Sequence, residues 1–163
     1  MDFGADIVVH SATKFVGGHG TSIGGALLES GNFDYTHYPS IADPSPSYHN
    51  LKFYETFGHY GFLMKARAET LRDVGACLSP FNAFLLIQGL ETLSIRMDRH
   101  VQSALAVAKF LKDHKQVDWV SYAGLPDSPY HAASKKYTPK GPGAVFAFGI
   151  KGGREAGKKF IES

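Results

Sequence analysis

The sequence has one cysteine, Cys77, and one tryptophan, Trp119, in 163 residues. A single thiol cannot close an internal disulfide, and no charged-then-apolar segment opens the chain, so a reducing, cytoplasmic setting is expected. No apolar run is long enough to cross a bilayer, which disfavours a membrane protein. Charge of one sign is also scarce. Seventeen Lys and Arg against fifteen Asp and Glu leave a net charge of +2, spread along the chain and not interleaved with aromatics, so no nucleic-acid partner is expected. The eight histidines include no H-E-x-x-H and no cysteine pair accompanies them, so no metal is expected. The glycines match neither G-x-x-x-x-G-K-[ST] nor G-x-G-x-x-G, and a nucleoside triphosphate is disfavoured with them.

What is present is an ordinary globular composition, 44% apolar and 20% charged, with enough length to bury roughly 70% of the unfolded chain's surface. Ala5 to His10 is a β-branched apolar run that predicts a buried strand of an α/β sheet, and Ala26 to Leu28 predicts a second. From Asn32 to Asn50, Pro39, Pro44 and Pro46 block helix and central strand, so a long, tyrosine-rich loop is expected. Gly61 to Val74 has helical spacing. Ser79 and Pro80 form a start signal for another helix, whose segment NAFLLIQGL is apolar on nearly all sides and is expected to be buried. Met97, Val101, Leu105, Ala108 and Leu111 then mark an amphipathic helix ending about Lys112. Val117 to Tyr122 and Ala144 to Ile150 read as strands, and Glu155 to Glu162 begins a helical pattern. A domain boundary is expected near Asp113 to Lys115, dividing residues 1–113 from 114–163. Two strands and an opening helix in the second part suggest an excerpt of a longer fold.

Chemistry concentrates at the end of the first strand. Ser11 and Thr13 supply hydroxyls, and Gly17, Gly18, Gly20, Gly24 and Gly25 let backbone N–H groups approach an anion. Lys14 supplies an amine. Phosphate plus amine suits an aldehyde cofactor that carries its own phosphate, as pyridoxal phosphate does. Two plainer alternatives stay open: Lys14 as a solvated surface charge, and a phosphate-binding α/β domain without covalent chemistry. Cys77 reads as a small buried filler, and Phe81, Phe84 and Trp119 as core.

Four runs, GADIVVHSATKFVGGHGTSIGGALLESGNFDY, DPSPSYHNLKFYETFG, LSPFNAFLLIQGLETLSIRMDRH and GLPDSPYHAASKKYTPKGPGAVFAFGIKGG, resemble the Cys/Met-metabolism pyridoxal-phosphate enzymes in the same order, covering nearly the whole chain. The resemblance implies fold type I, the aspartate-aminotransferase-like architecture. Residues 1–113 would then be the C-terminal part of the large, cofactor-binding domain, and 114–163 the start of the smaller α/β C-terminal domain. It implies Lys14 as the Schiff-base and catalytic lysine, with Ser11 and Thr13 on the phosphate of pyridoxal 5'-phosphate.

Cystathionine-handling members carry Ser-Asp after Gly-His, whereas this chain reads Gly18-His19-Gly20-Thr21-Ser22, as the sulfhydrylase branch does. That branch exchanges the acetate of O-acetyl-L-homoserine for sulfide or methanethiol and works as a homo-oligomer, a tetramer. A cystathionine γ-synthase or lyase activity is the alternative within the family. A catalytically incomplete piece is the alternative outside it. By the resemblance, the aspartate that holds the pyridine nitrogen and a ring-stacking tyrosine match positions upstream of Met1. The arginine for the substrate carboxylate matches positions downstream of Ser163.

Overall fold

Ile7, Val8 and Val9 make the first extended segment, and a computed structural model, which describes residues 1–163, places strand β1 at Ile7–Ser11. β1 pairs antiparallel with β2, Gly25–Glu29, from Ile7 opposite Glu29 to Ser11 opposite Gly25. The hairpin thus holds the ends of the 12–24 loop together. The sheet has only these two strands, so the expected burial of β1 is not met: Val9 is 80% exposed. An apolar, β-branched run sets the extended backbone, but cover must come from neighbouring elements.

The segment expected as a loop folds around its own rings. Pro39–Ala42 forms helix α1 and Pro46–Tyr48 a single 3-10 turn, each with its proline at the start of the helix, where no N–H is missed. Helix α2, Phe53–Phe57, follows. Tyr35, Ile41 and Phe53 are the buried centre, with Phe33, Tyr48, Tyr54 and Phe62 against it. Phe53 is fully buried, which contributes about 1.5–3 kcal/mol. Ordering each backbone residue costs ~1–2 kcal/mol, so one ring cannot fix this segment and the cluster of rings is needed.

The helical spacing of Gly61 to Val74 appears as α3, Gly61–Lys65, a π-helical turn over Ala66–Leu71, and α4, Arg72–Val74. The wide turn carries Glu69, whose carboxylate accepts hydrogen bonds from Ser45, from Ser47 at 3.0 Å and from Lys65 Nζ at 2.6 Å. Lys65 and Arg72 also lie over the rings of Phe53 and Tyr48, at 4.9 and 5.4 Å. The loop is thereby tied to the helix by charge as well as by rings.

Helix α5, Pro80–Glu91, begins as the sequence predicts: the Asn82 N–H donates to Ser79 Oγ at 3.2 Å. Its expected burial fails. Leu86 and Gly89 are buried, while Phe81, Phe84, Ile87 and Leu90 are exposed. Cys77 is likewise exposed, its thiol 3.6 Å from the Leu78 carbonyl, and not a buried filler.

The chain divides into two compact units, Met1–Glu91 and Thr92–Ser163. In the second, α6, Leu93–Lys112, runs to the expected end and presents Ala104 and Ala108 to Tyr122 and Leu125. The small side chains allow close approach of the helix. β3, Val117–Ser121, pairs antiparallel with β4, Ala147–Ile150, with a bulge between Val117 and Trp119. Trp119 is 52% exposed, lying over Gly149 and not in the core. α7, His131–Tyr137, and α8, Gly153–Glu162, complete this unit. No helix is long and apolar enough to cross a membrane.

The Glu69 network sets a pH dependence. Hydrogen bonds from Lys65 first, then Ser45, hold its carboxyl at about 2 against an ordinary 4.5, with burial opposing. A depressed carboxyl stabilises the fold fully above its ordinary value and loses that contribution as pH falls through the folded value. Protection of the amides of the 43–51 segment, taken relative to the intrinsic exchange rate at each pH, is therefore expected to fall between pH 4.5 and 2. Glu69→Gln should remove that dependence and cost about 1–3 kcal/mol at neutral pH.

Candidate functional site

Ser11, Thr13 and Lys14 lie where β1 ends and the glycine loop begins. Ser11 is the last residue of the strand and is exposed. Ala12, next to it, is buried and anchors the turn. Thr13 closes the loop against its far end: its N–H donates to the Gly24 carbonyl at 3.1 Å, and its Oγ1 accepts the Gly24 N–H at 3.0 Å and donates to the Gly24 carbonyl at 3.2 Å. Lys14 is exposed, and its amine has no hydrogen-bond or ion-pair partner. Its carbonyl accepts the Gly18 N–H at 2.8 Å, while the Ala12 carbonyl accepts the Gly17 N–H, also at 2.8 Å. The amine is thus carried by a closed turn yet left chemically free.

The glycines divide into two kinds. Gly17 and Gly24 are needed for close approach: a Cβ at either would press on the Leu86 side chain, at 2.9 and 2.6 Å. Gly89 of α5 completes the seam, since a Cβ there would strike the carbonyl oxygens of Val16 and Gly17. Gly18 and Gly20 serve the backbone instead. Their φ values of +74° and +66° lie in the left-handed region, and the space beside Gly20 is open. Ser22, buried at the loop's far side, donates to Asn82 Oδ1 at 3.3 Å. Leu86, Gly89 and Asn82 escaped the sequence reading. The available signal was Gly89 itself, a residue costing ~1 kcal/mol relative to Ala inside a helix.

A free amine, an exposed hydroxyl on Ser11 and open glycine backbone are the donor set that a phosphorylated aldehyde requires. The residues present fit pyridoxal phosphate: Lys14 for the aldehyde carbon, Ser11 and the backbone beside Gly20 for the phosphate.

Comparison with known proteins agrees with that chemistry. Residues 1–163 match the Cys/Met metabolism PLP-dependent enzyme family. The chain is 51% identical to a homocysteine synthase of Schizosaccharomyces pombe, a match covering all of this chain and 39% of that protein. It is 49% identical to an O-acetyl-L-homoserine sulfhydrylase of Leptospira meyeri, over 99% of this chain and 39% of that one. A solved structure from Campylobacter jejuni, which carries N'-pyridoxyl-lysine-5'-monophosphate, superposes with a TM-score of 0.86 at 38% identity, covering 92% of this chain and 38% of its own. The chain therefore spans about two fifths of the length of the curated relatives it matches.

The seam with α5 is testable by itself. Gly89→Ala would gain up to ~1 kcal/mol of helix propensity, but overpacking against two backbone carbonyls costs about 1–3 kcal/mol. The expected net result is a lower urea midpoint with an unchanged m-value, and a raised midpoint would show that α5 can move away from the loop freely.

Proposed function

We propose that this chain, which belongs to the Cys/Met metabolism PLP-dependent enzyme family, is the lysine-bearing part of an O-acetylhomoserine sulfhydrylase. The observation that carries the reading is the Lys14 amine, exposed and unpartnered on a hydrogen-bonded turn beside open glycine backbone. Support for the substrate comes from relatives at about half identity that carry the names sulfhydrylase and homocysteine synthase.

In this reading Lys14 holds pyridoxal phosphate, which supplies an electron sink for negative charge on the substrate's carbon atoms when bound. Ser11 donates its hydroxyl proton to the phosphate. Thr13 contributes by turning its own proton. Its bond to the Gly24 carbonyl, at 3.2 Å, is the longer of the two Oγ1 contacts. A phosphate oxygen can therefore take that proton while Oγ1 still accepts the Gly24 N–H and the loop stays closed.

Once displaced by the substrate's amine, Lys14 takes and returns protons at the substrate's α and β carbons. Acetate then leaves the γ carbon of O-acetyl-L-homoserine and sulfide enters, giving L-homocysteine. The part of the proposal that concerns the longer protein is a division into a cofactor-domain part, residues 1–113, and the opening of a small domain, 114–163. A homotetramer and a cytoplasmic location belong to the same proposal.

The test joins mapping to turnover. After addition of pyridoxal phosphate and borohydride reduction, the pyridoxyl group is expected on Lys14; Lys14→Arg should lose the adduct in this chain and, in a protein of the relatives' full length that carries it, homocysteine formation. An adduct on Lys52 or Lys65 would sink the assignment, and product formation only with cysteine as acceptor would move it to cystathionine chemistry. Thr13→Val is expected to weaken cofactor binding about 5- to 150-fold, the loss of one buried hydrogen-bond partner, read from a titration of the absorbance change.

A further inference from the structure

Between Gly17 and Gly20 the sequence is Gly-Gly-His-Gly, so His19 carries the only side chain able to fix that stretch. Glycine gives up more conformational freedom on ordering than any other residue, and nothing lies within 4 Å of where a Cβ of Gly20 would be. Packing against α5 reaches Gly17 but not Gly20. His19 Nδ1 lies 2.7 Å from the Gly17 carbonyl. A carbonyl can only accept, so Nδ1 carries the hydrogen.

Gly17 is the joint of the turn, because the peptides on its two sides make the closing bonds. Its N–H donates to the Ala12 carbonyl at 2.8 Å, and the next N–H, of Gly18, donates to the Lys14 carbonyl at 2.8 Å. Its carbonyl abuts Gly89 of α5. Rotation of the peptide that carries the Gly17 carbonyl would swing its other end, the Gly18 N–H, off the Lys14 carbonyl.

We infer that His19 is a positioning residue: by donating Nδ1–H to the Gly17 carbonyl it locks the turn that presents the Lys14 amine. The inference rests on the reading of Lys14 as the cofactor lysine. His19 acts through the backbone and does not touch the reacting atoms.

The experiment compares wild type, His19→Phe, which keeps a ring without the donor, and His19→Asn, which returns an N–H donor. Amide exchange is measured without cofactor, and the rate of borohydride-trapped labelling of Lys14 with pyridoxal phosphate. His19→Phe is expected to speed exchange of the Gly17–Thr21 amides roughly 2- to 12-fold, the net worth of one hydrogen bond, and to slow Lys14 labelling by a similar factor. His19→Asn should restore both towards wild type, and the thermal midpoint should stay unchanged. Wild-type exchange and labelling in His19→Phe, with Lys14 still the labelled residue, overturns this inference alone. Labelling of another lysine in the wild type overturns the reading of Lys14 and, with it, any cofactor role for the His19 clamp.

Discussion

The arrangement at the candidate site depends on one close approach, the glycine loop seated on helix α5 around Leu86. Gly17 and Gly24, far apart in the loop, both touch the Leu86 side chain, and Gly89 brings the helix backbone against the carbonyls of Val16 and Gly17. A methyl group at any of the three positions would open the seam, because packed interiors leave no room for a methylene without displacement. The loop begins and ends on neighbouring strands of the β1–β2 hairpin, so the seam turns a flexible, glycine-rich segment into a surface with a fixed height above the helix. The position of Lys14 follows from that height.

Rigidity and reactivity are separated within the same few residues. Thr13 ties the two ends of the loop by backbone and hydroxyl, and Ser22 reaches Asn82 on α5. Ala12 fills the buried position between the functional ones. The Lys14 amine, between these anchors, makes no bond of its own. In the role proposed for Lys14, an amine that forms and releases a covalent bond works best when its backbone is held and its nitrogen is not, since positioning lowers the barrier without occupying the reacting atom.

The second anchor of this unit is electrostatic. Glu69, on the π-helical turn, gathers Ser45, Ser47 and Lys65, while Lys65 and Arg72 lie over aromatic rings. A wide turn inside a helix turns a side chain away from the regular spacing, and here it carries the carboxylate that joins a proline-rich segment to the helix behind it. The aromatic rings supply the apolar burial and the carboxylate fixes the register. The two act together: the segment has too few buried side chains for hydrophobic burial alone to order it, and the partly buried Glu69 network supplies the remaining hold.

By itself the sequence determined the extended start at Ile7, the α5 start at Ser79-Pro80, the course of α6 to Lys112, and Ser11, Thr13 and Lys14 as the chemically distinctive group. Those features are local: β-branching, a cap, helical periodicity, and a run of residue types along a few positions of chain. Tertiary structure alone decided which apolar faces are covered. Val9, Phe81, Phe84 and Trp119 have the pattern of core residues and remain exposed, because periodicity records that a face is apolar and not what lies against it. Tertiary structure also decided that Leu86 and Gly89 belong with Gly17 and Gly24, and that Glu69 answers Ser45 across the fold. Such pairings join residues distant in the chain, and nothing in the local spacing of either partner specifies the other.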